Sequence, residues 1–124
     1  MLLVDDALFL EHRAREPHPE CPERLLAARR AIELLRARAS LEALAPRDAS
    51  DDELNRVHTP AYLEELGRWA GKSGMLDADT FLSPRSVAAA RRAAGGAVAL
   101  AEALWRGTER TGVAVVRPPG NVSV

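Results

Sequence analysis

A single cysteine, Cys21, leaves this chain unable to form an intrachain disulfide. Aromatic residues are scarce, at 4% of 124 positions, and much of the 47% hydrophobic content is alanine. Alanine buries little area, so the core is expected to be thinner than that percentage suggests. Charges interrupt every apolar stretch well short of a membrane-spanning length. The opening Met1-Leu2-Leu3-Val4 runs directly into Asp5-Asp6, without the basic region and long apolar run of a secretion signal. A soluble, cytoplasmic protein with no membrane partner is the resulting expectation. Excess charge of one sign is also lacking. The 17 basic and 18 acidic residues give a net charge of -1, which supplies no electrostatic reason to bind nucleic acid. The pairs Arg29-Arg30 and Arg91-Arg92 read as solvated faces of alanine-rich helices.

What is present alternates strand and helix signals. Leu2 to Leu10 reads as a short strand interrupted by Asp5-Asp6. Pro17, Pro19 and Pro22 then exclude a helix through the turn they occupy. Pro22 suits the first position of a helix whose apolar face is Leu25, Ala28, Ile32, Leu35 and Ala39. A second short strand is expected between Leu41 and Pro46. Ser50-Asp51-Asp52-Glu53 has the form of a capping box, predicting a short helix to about His58. Thr59-Pro60 starts another helix, with Tyr62, Leu63, Leu66 and Trp69 inward and a stop at Gly71 to Gly74. Asp77 to Ser83 reads as a polar loop.

Ser83-Pro84 is expected to cap the longest helix, running to Arg106, with Val87, Ala90, Ala94, Ala97, Ala101 and Leu104 buried. Gly95-Gly96 inside it costs helix propensity, which a close-passing neighbour would explain. Gly112 to Val116 reads as a buried strand. The order predicts an α/β fold with a parallel sheet, whose three strands leave edges in need of cover.

Zinc needs about four Cys, His, Asp or Glu ligands at suitable spacing. His12, His18, His58 and Cys21 are the available His and Cys donors, and the His18/Cys21 spacing alone makes no site, so no metal ligand and no catalytic residue is assigned. His58 reads as a helix-end residue and Cys21 as structural; a Cys21 enzyme would show rapid thiol labelling at neutral pH. No glycine-rich phosphate loop is present.

The order of the motifs carries more than any one of them. His18-Pro19-Glu20 followed by Pro22-Glu23-Arg24-Leu25 resembles the N-terminal signature of the histone deacetylase, acetoin-utilisation and acetylpolyamine amidohydrolase family. Val57 to Leu63 is similar to its next landmark, and Asp77 to Thr80 with Ser83-Pro84 to the loop before its long helix. Ala93-Ala94-Gly95-Gly96 and Gly112 to Gly120 continue the likeness. The resemblance implies the start of a three-layer arginase/deacetylase-type fold. It also implies, for the intact family, zinc-dependent hydrolysis of acetyl amides on lysine, a polyamine or another small amine.

Where that family has paired histidines after Gly120, this chain reads Asn121-Val122-Ser123-Val124. The expectation is therefore an N-terminal portion, residues 1–124, inactive by itself and without its own zinc site. Asp79 resembles the family's rim aspartate that holds the substrate backbone, the alternative being an aspartate that caps the loop turn. Arg24 resembles an inner-cavity arginine that handles the acetate product, the alternative being a surface salt bridge. Arg117 and Gly120 would shape the approach to the active site, or serve only as a strand end. A different class stays open beside these readings: a non-catalytic interaction protein that self-associates through an exposed sheet edge or pairs with a full-length relative. A monomer by light scattering at high micromolar concentration would count against it.

Overall fold

The computed structural model describes residues 1–107 and 109–119. Three parallel strands form the sheet in the order β2-β1-β5, where β1 is Leu2–Val4, β2 Glu42–Ala43 and β5 Gly112–Ala114. Leu2 stands opposite both Glu42 and Gly112, and Val4 opposite Ala114. Because side chains alternate along a strand, β1 feeds two cores. Leu3 packs with Phe9, Val115, and with Leu25 and Ile32 of α1 (Pro22–Arg36). Leu2 and Val4 pack instead with Leu100 of α4 (Ser86–Arg106). Helix, sheet and helix make the expected three layers.

Several boundaries differ from the sequence reading, each for a local reason. The first strand stops at Val4, because the Asp6 carboxylate accepts the Leu8 N–H at 2.9 Å and caps a 3-10 turn over Ala7–Leu10. In α1 only Leu25 and Ile32 are buried; Leu35 is exposed and Ala39 lies beyond the helix end. The Ser50–Glu53 capping box forms, yet its helix α2 covers only Asp51–Leu54. Thr59 caps α3 (Pro60–Arg68), in which Tyr62, Leu63 and Leu66, with Trp69 just beyond it, are half-buried and no residue is fully buried. The expected polar loop is an antiparallel hairpin of β3 (Gly74–Met75) and β4 (Phe81–Leu82).

The long helix begins at Ser86, two residues later than expected, and Arg85 is its N-cap residue. Its buried side is Ser86, Val87, Ala89, Ala93, Gly95, Gly96 and Leu100, while Ala97 and Ala101 are exposed. The glycine pair sets that rotation. A Cβ on Gly95 would fall inside the backbone of Arg47, Asp48 and Ala49, and one on Gly96 would lie 2.9 Å from Val4 Cγ1. The Ala49 N–H donates to the Arg91 carbonyl at 3.0 Å across the same approach. Gly95→Ala is expected to destabilise the chain by about 1–3 kcal/mol despite alanine's better helix propensity, because the backbone must move apart. A urea midpoint equal to or above that of the parent would refute the close approach.

Of the two arginine pairs, Arg30 is exposed, while the other three side chains are tied to carboxylates. Arg29 binds Asp5, Arg91 binds Asp51, and Arg92 reaches both Asp6 and Asp48. These ties lock α1 and α4 to the segments that leave β1 and precede α2. Among the described residues, no helix is long and apolar enough to cross a membrane.

Candidate functional site

In parallel α/β sheets, functional groups gather beyond the carboxyl ends of the strands. The chain leaving β1 and the chain leaving β5 meet there through Arg117. Arg117 as a whole is 3% exposed. Its Nε and Nη2 donate to the two Glu20 carboxylate oxygens at 2.7 and 2.6 Å, and Nη1 donates to the Phe9 carbonyl at 3.1 Å. The two parallel bonds match the planar fork of arginine to a carboxylate. Burial pushes the Glu20 carboxyl up, but the hydrogen bonds and charge of Arg117 outweigh it and hold the group below its ordinary value. One side chain therefore joins the end of β5, the turn after β1 and the proline-rich segment before α1. The Arg117–Pro118 peptide is cis.

Arg24 sits on the first turn of α1 with its side chain 63% exposed, its guanidinium 3.8 Å from Glu20 Oε1. An open cavity of about 330 Å³ lies beside it, lined by Glu20, Arg24, Leu25, Val116, Arg117 and Pro119 among others. The surface ion-pair alternative for Arg24 is present as a loose contact at the rim of that cavity.

A second group of buried polar residues adjoins the first. His12 is 5% exposed, with Nδ1 2.7 Å from Ser86 Oγ and Nε2 3.5 Å from Glu20 Oε2. Counting protons narrows the network. Ser83 Oγ has one hydrogen, and the Glu11 carbonyl at 3.0 Å can only accept it. The Arg13 N–H fills an acceptor site on Ser83 Oγ, and the Ser83 N–H does the same for Ser86 Oγ. The Ser86 hydroxyl then has two acceptors within reach, Ser83 Oγ at 2.9 Å and His12 Nδ1 at 2.7 Å; the Glu20 carboxylate beside Nε2 favours donation to Nδ1, which leaves the proton of the neutral ring on Nε2. Burial drives the His12 pKa down to about 4, although Glu20 works to raise it. At neutral pH the approach to Glu20 is a long contact of a neutral ring rather than an ion pair.

Ser86, His12 and Glu20 are in the mutual reach of a nucleophile, a base and a carboxylate. The arrangement cannot act as one. Ser86 is 1% exposed, so no substrate carbonyl reaches its Oγ, and the Glu20 oxygens are already committed to Arg117. The trio is a satisfied polar core.

Asp79 lies in the turn between β3 and β4, exposed. The aspartate that organises this turn is Asp77, whose Oδ1 accepts the N–H groups of Asp79 and Thr80 at 2.8 Å each. Those backbone bonds, with the Thr80 hydroxyl on Oδ2, hold the Asp77 carboxyl below its ordinary value. The turn-capping alternative for Asp79 thus belongs to Asp77, and the Asp79 carboxylate takes no hydrogen bond from the described residues. Gly120 lies outside the described residues.

His18 Nδ1 accepts the Glu20 N–H at 3.0 Å, and Cys21 is half-buried at the N-cap of α1. His58 packs against the Tyr62 ring at 5.1 Å. Among the described residues no three His, Cys, Asp or Glu side chains come together as a metal-binding group. They do not fit a zinc site. Sequence reasoning missed His12, Glu20 and Ser86 as a connected group. The visible signals were Glu20 within His18-Pro19-Glu20 and the three-residue spacing of Ser83 and Ser86.

Residues 18–121 match the family model described as the histone deacetylase domain. The chain is 37% identical over 118 residues to polyamine deacetylase HDAC10 of Homo sapiens, covering 83% of this chain and 17% of that protein. It is 36% identical over 122 residues to a probable deacetylase of Methanothermobacter thermautotrophicus, covering 98% and 35%. The crystal structure of the HDA15 HD domain superposes with a TM-score of 0.88 at 28% identity, covering 97% of this chain and 37% of that one. The chain thus spans about a third or less of these proteins. With the motif order, the three-layer fold and a match over most of its length, this chain belongs to the histone deacetylase family.

Proposed function

We propose that residues 1–124 supply the substrate-rim and inner-cavity portion of a zinc-dependent deacetylase, acting on an acetyl amide of lysine, a polyamine or another small amine. The observation that carries this reading is the Arg117–Glu20 fork, which fixes the end of β5 against the segment bearing Arg24, beside an open cavity. In this reading Asp79 receives substrate backbone N–H groups, its carboxylate being free for them. Arg24 attracts the carboxylate product at the cavity rim, and Arg117 and Gly120 shape the approach.

The bound metal would polarise the amide carbonyl and activate water. In this reading the residues that hold it lie elsewhere in the domain, and the chain alone is inactive. The sheet favours a larger domain. β2 is two exposed residues including Glu42, a blunt edge, whereas β5 continues into uncharged Val115 and Val116 and has the make-up of an interior strand.

The purified chain with added zinc is expected to release no acetate from an acetyl-lysine peptide or an N-acetylated polyamine. Residues 1–119, grafted in place of the matching segment of the Methanothermobacter relative, should give an active hydrolase. In that graft, Asp79→Ala should lower kcat/KM about tenfold, the loss of one charge-assisted hydrogen bond to substrate. Turnover by the chain alone would overturn its inactivity. An active graft indifferent to Asp79→Ala would overturn the rim role.

A further inference from the structure

We propose that His12 is a positioning residue: by stacking on Phe81 it sets where the β3–β4 hairpin, and with it Asp79, stands relative to the rest of the site. The functional meaning of this role rests on the rim reading of Asp79; the packing does not. Beyond its base, little of the hairpin is buried. Of its strand residues only Phe81 is buried, while Met75, Asp77, Ala78 and Asp79 are exposed.

The Phe81 ring lies 4.5 Å from the His12 imidazole at an interplanar angle of 9°, and His18 meets it edge-on at 5.1 Å. His12 in turn is not free to move. Its Nδ1 is held by Ser86 on the first residue of α4, and its other face of contacts leads to Glu20 and Arg117. The imidazole therefore couples the Phe81 ring to α4 and to the Arg117–Glu20 fork, beside the Ser83–Ser86 bonds that hold the end of β4 to α4. The hairpin's other ties are the Gly71 N–H to the Pro84 carbonyl at 3.1 Å, the Trp69 ring over Gly74, and the bonds of Ser83 to Ser86, Glu11 and Arg13, all at the base. Those fix where the hairpin starts; the Phe81 stack fixes its tilt.

Amide hydrogen exchange on the purified full chain tests this without any substrate. The reporters in the hairpin are the amides of Leu76, which donates to the Thr80 carbonyl, and of Asp79 and Thr80, which donate to Asp77. The controls are Leu44, Ala49 and Val115, whose amides tie the sheet and the α4 approach. His12→Ala should speed exchange of the hairpin reporters about tenfold or more while the controls stay within about twofold. His12→Phe, which keeps a stacking ring and forfeits the Ser86 bond, should restore hairpin protection to within about twofold of the parent. Phe81→Leu should reproduce the His12→Ala pattern from the other side of the stack.

Hairpin exchange unchanged in His12→Ala would overturn the proposal. So would a parallel rise in hairpin and controls, or a His12→Phe chain as loose as His12→Ala. Failure of the rim reading would appear instead as an active graft insensitive to Asp79→Ala, and it would leave the exchange result untouched.

Discussion

Arg117→Ala is expected to remove about 3–5 kcal/mol from the unfolding free energy, the cost of breaking a buried ion pair from one side. The residue's side chain is 4% exposed and that of Glu20 14%. Truncation leaves the Glu20 carboxylate in low-dielectric surroundings without its fork, and the Phe9 carbonyl loses its Nη1 donor. Arg117→Lys should recover only part of this, since an ammonium cannot serve two carboxylate oxygens and a carbonyl in one plane. The double variant Glu20→Gln/Arg117→Met should be less damaging than the sum of its parts, because no charge is then stranded. A domain of this size is stabilised by roughly 5–15 kcal/mol, so Arg117→Ala alone removes a large share. By contrast, the exposed Glu33–Arg36 pair on α1 is worth about 0–1 kcal/mol. Urea unfolding followed by far-UV circular dichroism decides the matter: a loss for Arg117→Ala below about 1 kcal/mol would mean that water reaches the fork.

The contrast between those two pairs also shows what a sequence can and cannot reveal here. Local signals were legible. The Ser50–Glu53 box, the Thr59 cap and Pro22 at a helix start all concern groups within three residues of each other, and each formed where its residues lie. The glycine pair announced a close neighbour, although not that the neighbour is the 47–49 backbone. The motif order identified the family and its α/β layers.

What stayed hidden was long-range. Glu20 and Arg117 are separated by 97 positions, and His12 and Ser86 by 74. Nothing in the spacing of a single chain encodes such meetings. The hairpin was hidden for a different reason. Its strands are two residues each, too short for an alternating pattern, and its turn is built by an aspartate carboxylate rather than by the glycine or proline that usually marks one. The α4 face was misjudged because alanines surround it on all sides, so periodicity had little contrast to work with.

The buried imidazole supplies a pH dependence whose sign follows from its environment. Histidine in the unfolded chain takes a proton below its ordinary value of 6.5, whereas folded His12 resists protonation until about pH 4. Burial is the main cause; Arg117 and His18 add to it, and Glu20 opposes. The unfolded state therefore binds more protons between those values. The stability that neutral His12 contributes is complete above pH 6.5, falls as the pH drops toward about 4, and falls no further below that. The slope for one such group is about 1.4 kcal/mol per pH unit, so the chain should lose about 2 kcal/mol between pH 7 and pH 5. Glu20 and Asp6 have folded values held below their ordinary 4.5 and 3.8, so their own stabilisation disappears only at lower pH. The window from 6.5 down to 4.5 thus isolates the imidazole. Protonation there would turn Nδ1 into a donor, force the Ser86 hydroxyl to rotate away, and place a charge beside the Arg117 guanidinium. His12→Phe, which cannot titrate, should show a much flatter stability profile over the same range. Urea unfolding of parent and variant at pH 7 and pH 5 tests this directly: equal losses in the two chains would show that His12 is hydrated in the folded state and that the acid sensitivity arises elsewhere.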